Sequence, residues 1–265
     1  MDNDGHIGGG GGGRTHPAAT LNGVRAETRL GVLCSTVRCD ATGGPNAQNG
    51  AILMHAVEAG NAKSFTQTFA AFKYAHANLT FLELGDIGCV ALSRIIELGM
   101  WPTEDGCSRV MLELSHNSFG DEGAIALAAA LLSDRAPRGL SVQVASCFVG
   151  DAGAAALAGA PFGDHFNLSR NEIGDAGAKA IASRIALGKG PTAERDGSVN
   201  LGGNRGITDV GVAALTSAVS SGNTSKLLRT IDVDGTGASD AAQDALFEAL
   251  AAHRAAYPVA AVGFG

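Results

Sequence analysis

Arg170, Asn171, Glu172 and Asp175 fall within six residues of one another in the stretch NLSRNEIGDAGAKAIASRI, residues 167–185. A guanidinium, an amide and two carboxylates at that density could hold an anion, a cation or a proton in transfer. Aspartate recurs in the same setting at Asp86, Asp121 and Asp151, each two residues ahead of a glycine. A row of carboxylates is also what a calcium site or a paired acid–base centre is made from. The spacing argues for something else. Each of these residues occupies the same place in a segment that recurs along the chain, and their roles depend on the elements that position them.

The recurring segment reads FLELGDIGCVAL (81–92), MLELSHNSFGDEGAIALAAAL (111–131), SVQVASCFVGDAGAAALAGA (141–160), HFNLSRNEIGDAGAKAIASRI (165–185), SVNLGGNRGITDVGVAALTSAV (198–219) and TIDVDGTGASDAAQDALFEAL (230–250). Its first strand apolar residues, Leu82, Leu112, Val142, Phe166, Val199 and Ile231, are separated by 30, 30, 24, 33 and 32 residues. A self-similar period of this length is the mark of a solenoid or array. An earlier, decayed copy is suggested by VRCDATGG (37–44) running into GAILMHAV (50–57).

Two apolar residues spaced by two, such as Leu112 and Leu114, point to one side of a very short strand. Three residues later comes Asn117, with Cys147, Asn171, Asn204 and Thr236 in the same slot of their copies. A Gly/Asp turn and an Ala-rich helical pattern follow, and Ala lets a short helix form without bulk. One strand and helix cannot bury an apolar side alone, whereas stacked copies cover one another and join their strands into a parallel sheet. The Asn should satisfy backbone groups of its loop, so Asn171→Ala is expected to cost on the order of 1–3 kcal/mol. Each Asp should accept bonds from the first free N–H groups at a helix start and meet the positive end of the dipole. Belonging to different copies, the aspartates should be spread along a ridge, which argues against a metal site.

The pattern L-x-L-x-x-N-x-(I/F)-G-D-x-G-A-x-A-(L/I) resembles the leucine-rich repeat in its ribonuclease-inhibitor-like subtype, and FAAFKYAHANLTFLEL (69–84) is similar to that subtype's passage from helix end to strand. The resemblance implies an α/β leucine-rich-repeat solenoid, a horseshoe with short parallel strands on the concave face and helices on the convex face. It also implies a non-enzymatic module or scaffold that binds a protein through the concave face. The chain then divides into a disordered Gly-rich tail (1–20), degenerate N-terminal repeats (21–68) and the solenoid with its C-terminal tail (69–265). The same repeat subtype occurs in Ran-type GTPase-activating proteins. That alternative would need an exposed arginine beside the nucleotide, for which Arg170 or Arg205 could be nominated.

Composition narrows the partners. A net charge of −7 and a pI near 5.4, with no Lys/Arg run, argue against nucleic acid. No apolar stretch is long enough to span a bilayer, and the N-terminus MDNDGHIGG is unlike a secretory signal. Cys34, Cys39, Cys89, Cys107 and Cys147 form no paired framework and no zinc spacing, which points to free thiols and a cytoplasmic location. GGPNAQNGA (43–51) lacks the Lys-Ser/Thr ending of a phosphate loop, and neither G-x-S-x-G nor H-E-x-x-H occurs. No catalytic residue, metal ligand or cofactor is therefore expected.

Binding should fall to the strand positions that alternation turns away from the core: Glu83, Glu113, His116, Gln143, Asn167, Arg170, Asn200, Asp232 and Asp234. Acidic towards both ends, this set suits a protein partner with basic patches. Two copies depart from the pattern. The first passes from Leu84 directly into GDIG, as if five residues and its Asn were lost, and Pro161 should stop the helix of the third early.

Overall fold

The computed structural model describes residues 76–81, 83–99, 110–136, 140–161, 165–189 and 197–258. The Gly-rich tail, the segment 21–68 and the closing residues 259–265 lie outside these described residues. Among the described residues six strands and six helices alternate: β1 (His76–Asn78), α1 (Gly85–Glu97), β2 (Val110–Glu113), α2 (Asp121–Leu131), β3 (Leu140–Gln143), α3 (Asp151–Gly159), β4 (His165–Asn167), α4 (Asp175–Ala186), β5 (Gly197–Asn200), α5 (Asp209–Ser220), β6 (Leu228–Asp232) and α6 (Asp240–Ala256).

All strand pairs are parallel and the sheet order is the chain order, β1 to β6. Each helix packs on its neighbour in sequence. Strands stand about 4.8 Å apart while packed helices need about 8–10 Å, so the stack bends towards its strands and the strand face is the concave one. One apolar core runs between the layers. Leu112 and Leu114 enter it from β2 and the residue after it, Phe119 from the following loop, and Leu127 and Leu131 from α2. Phe166, Leu168, Ile173, Ile181 and Ile185 repeat the arrangement two copies later. α3 is the shortest helix, at nine residues, and Ala160 beyond it is extended, as a residue before proline prefers.

The first copy corrects the expected register. FLEL is not its strand. Ala77 pairs with Leu112, and Leu79 N donates to Glu113 O, so the strand apolars are Ala77 and Leu79. Leu84 then matches Phe119, and Asp86 matches Asp121. No residues have been lost from this copy. Glu83 is consequently a loop residue with φ +48°, and its place on the strand face is withdrawn.

The aspartates also have different partners from those expected. Asp86 Oδ1 accepts from Gly120 N (2.9 Å) and Gly123 N (2.8 Å), at the start of the next copy's helix. Asp121 does the same for Gly150 and Gly153, and Asp151 for Gly174 and Gly177. Asp175 takes Thr208 N, Thr208 Oγ1 and Gly211 N. Each carboxylate thus sits in the first turn of its own helix and caps the helix that follows, close to two positive dipole ends. In α6 the third helical residue is Ala242, and the arrangement changes: Asp209 holds Ser239 N and Oγ, while Ala242 N donates to Ser239 Oγ.

The N–H of Thr208 is the main reason the Asp175 carboxyl is held below its ordinary value. Because the folded value is the lower one, stability from this group is fully present above about pH 4 and drains as pH falls through the folded value. Asp175→Asn should therefore flatten the acid limb of a Tm profile measured between about pH 2 and 5.

Candidate functional site

Four concave strand side chains turn back on their own backbone. Glu113 Oε1 accepts from Ser115 N (3.1 Å), Asn167 Oδ1 from Ser169 N (3.1 Å), Asn200 Oδ1 from Gly202 N (2.9 Å) and Asp232 Oδ1 from Asp234 N (2.9 Å). In every case the donor lies two residues on, the turn geometry that Asn and Asp favour. Strand pairing sets Glu113, Gln143, Asn167, Asn200 and Asp232 side by side as one column. Five of the nine residues that alternation nominated therefore share one row, but one of the five does not face outward. Gln143 is buried, and its Nε2 donates to His165 O (3.0 Å), so it ties β3 to β4 instead of facing outward.

His116 and Arg170 belong to a second column, at the strand-to-helix turn. Phe81, His116, Ser146, Arg170, Gly203 and Gly235 occupy equivalent positions, all with φ between +54° and +76°. The left-handed backbone lets N–H groups continue the sheet ladder: Phe81 N reaches Ser115 O, His116 N reaches Ala145 O, and Arg170 N reaches Gly202 O. Glycine adopts this conformation without strain, whereas a side chain costs about 1 kcal/mol or more there. Four copies nevertheless carry one. Phe81 and His116 stack with ring centres 4.2 Å apart and planes 7° apart. This column went unread in the sequence, where only Gly203 and Gly235 signal the backbone. Asp234 lies in the turn between the two columns, and Arg205 is exposed in the loop beyond Asn204.

Beneath these columns runs a buried ladder. Asn171 Oδ1 accepts from Cys147 N (3.1 Å) and Val149 N (3.2 Å) of the preceding copy, and its Nδ2 donates to Val144 O (2.7 Å) and Leu168 O (3.0 Å). Asn204 holds Asn171 N and Ile173 N in the same way, and Asn117 holds Leu84 N. Thr236 keeps only a donating part, from Oγ1 to Val233 O (2.8 Å). Cys147 contributes a thiol 3.7 Å from Leu114 O. Burial pushes that thiol up to about 12 and raises Cys89 as well. As a thiolate is the nucleophile, neither cysteine should react with iodoacetamide at pH 8 in the folded chain, and both should react in urea. Labelling of Cys89 or Cys147 in the folded state, read by peptide mass mapping, would contradict the burial of these slots.

The architecture is an α/β leucine-rich-repeat solenoid. Residues 111–128, 165–182 and 198–215 each match the family model described as Leucine Rich repeat, so the chain contains leucine-rich repeats. The three matched segments are the copies that carry Asn117, Asn171 and Asn204, the full rungs of the buried ladder. No curated protein matches the chain. Repeats of this kind generally mediate protein–protein interaction. No helix among the described residues is long and apolar enough to cross a membrane.

Proposed function

We propose that the chain is a non-enzymatic binding module or scaffold of the ribonuclease-inhibitor-like subtype, working in the cytoplasm. It holds a protein partner with basic patches against its concave strand face. The observation that carries this reading is the fixed column Glu113–Asn167–Asn200–Asp232, whose side chains are each held by an N–H two residues on. Side chains already ordered lose less freedom on binding. Carboxylates at its two ends, with Asp234 beside the second, favour cationic groups and speed encounter more than they tighten it. The net charge of −7 supports a protein partner over nucleic acid.

The test is affinity capture with wild type and with a variant combining Glu113→Lys, Asp232→Lys and Asp234→Lys. A partner retained by wild type, released as salt is raised, and lost by the variant at unchanged Tm is the expected result. Equal capture by the two would remove the strand face as the site.

A further inference from the structure

The turn column, beside the strand face, carries exposed side chains of its own at Phe81, His116 and Arg170. Phe81 and His116 stack face to face across neighbouring copies, so the other face of the His116 ring looks along the column to the next copy. There the side chain is only Ser146, and His116 itself is exposed. Phe148, two residues beyond Ser146, is more than half exposed, as is Phe81. One copy further on is Arg170, exposed, and its guanidinium has no hydrogen bond or ion pair among the described residues. The Arg170 stem lies over Gly203, where a Cβ would come within 2.9 Å of Arg170 Cγ. The side chain thus leans away from Ser146 and leaves the gap open.

Phe81, His116 and Arg170 all hold left-handed backbone that glycine supplies freely in the last two copies. Strain kept where a simpler residue would serve is a pointer to function. From these observations we infer that the gap over Ser146 receives an aromatic side chain of an extended peptide segment, stacked on His116 and flanked by Phe148, while a carboxylate of the same segment pairs with Arg170. Strands stand about 4.8 Å apart, so His116 and Arg170, two copies apart, are separated by roughly 10 Å, which an extended chain crosses in about three residues. The recognised segment therefore has an aromatic and an acidic residue three positions apart. A planar ring on the imidazole and a charge-assisted pair on the guanidinium are both strong anchors for a small surface.

The experiment uses fluorescein-labelled Gly/Ser peptides containing Trp-x-x-Asp or Asp-x-x-Trp, with Trp-x-x-Lys and Ala-x-x-Asp as controls. They are titrated by anisotropy against the full chain and against His116→Gly and Arg170→Gly. One of the two orientations should bind at least about tenfold more tightly than both controls, the level expected of one anchoring residue. Each glycine variant should lose that margin, and Arg170→Gly should do so with a raised Tm, because it relieves the backbone. Equal binding of the lysine control overturns the inference. So does indifference to both glycine variants, a lowered Tm for Arg170→Gly, or no saturable binding in either orientation. The strand-face triple variant should keep the peptide margin. Loss of the margin there would move the peptide to the strand face and overturn the assignment to the turn column.

Discussion

Asn171→Ala is expected to lower stability by about 3–5 kcal/mol, measured by urea unfolding of the whole chain. That exceeds the cost of one missing hydrogen bond because the side chain serves two neighbouring copies. Its loss strands Cys147 N, Val149 N and Val144 O of the preceding copy inside the stack, while Leu168 O keeps only its bond from Asn204 Nδ2. A buried backbone group left without a partner costs about 1–3 kcal/mol, and water entry recovers part of the sum. Asn171→Asp should be no milder at neutral pH, since a carboxylate cannot donate to the two carbonyls. A loss under about 1 kcal/mol would mean that the loop finds other partners without the amide.

The second large effect runs against ordinary helix chemistry. Gly177 is the third residue of α4, and glycine inside a helix is normally improved by alanine. Here Gly177→Ala is expected to destabilise by about 2–3 kcal/mol. The added Cβ would lie 2.7 Å from Ile173 Cγ2, 2.8 Å from Asp151 Oδ1 and 3.3 Å from Ala154 Cβ. Two of those atoms belong to the preceding copy, so either its helix is pushed off or the Asp151 bonds to Gly174 N and Gly177 N are lost. Asp151→Ala would remove the carboxylate but leave Ile173 and Ala154 in place, so the double variant should recover only part of the loss. Thermal melts of the two single variants and the double would show this coupling directly. A Gly177→Ala chain as stable as wild type would mean that neighbouring helices stand further apart than described.

Much of this could be read from the residues. A period visible in residue types gave the six copies, the stacked strands, the Asn slot and the early end at Pro161. The column from Glu113 to Asp232 followed from alternation alone. Where the reading failed, the missing information lay between copies. Leu82 and Leu84 have the spacing of strand apolars, while the true pair includes the small Ala77, so the imitation outscored the original. That an aspartate caps the following helix cannot be deduced from one copy in isolation. Gln143 reads as an outward residue, but the link between β3 and β4 is short and irregular. Ser141 Oγ and Gln143 Nε2 both turn to His165 O there. The turn column was hidden because Phe, His, Ser and Arg do not announce left-handed backbone.

The forward reach of the aspartates gives the stack a polarity. Every junction from the first copy to the fifth has a carboxylate on its upstream side and a glycine or hydroxyl-bearing helix start on its downstream side. A whole unit cut at equivalent positions therefore carries one connector of each kind. Deleting such a unit or inserting a duplicate leaves every remaining joint correctly mated, whereas reversing the order of a joint would set carboxylate against carboxylate. In the last described unit Ala242 takes the place of the glycine, and Ala242 N donates to Ser239 Oγ instead of to the upstream carboxylate. Length can thus vary by whole units in the interior of the chain.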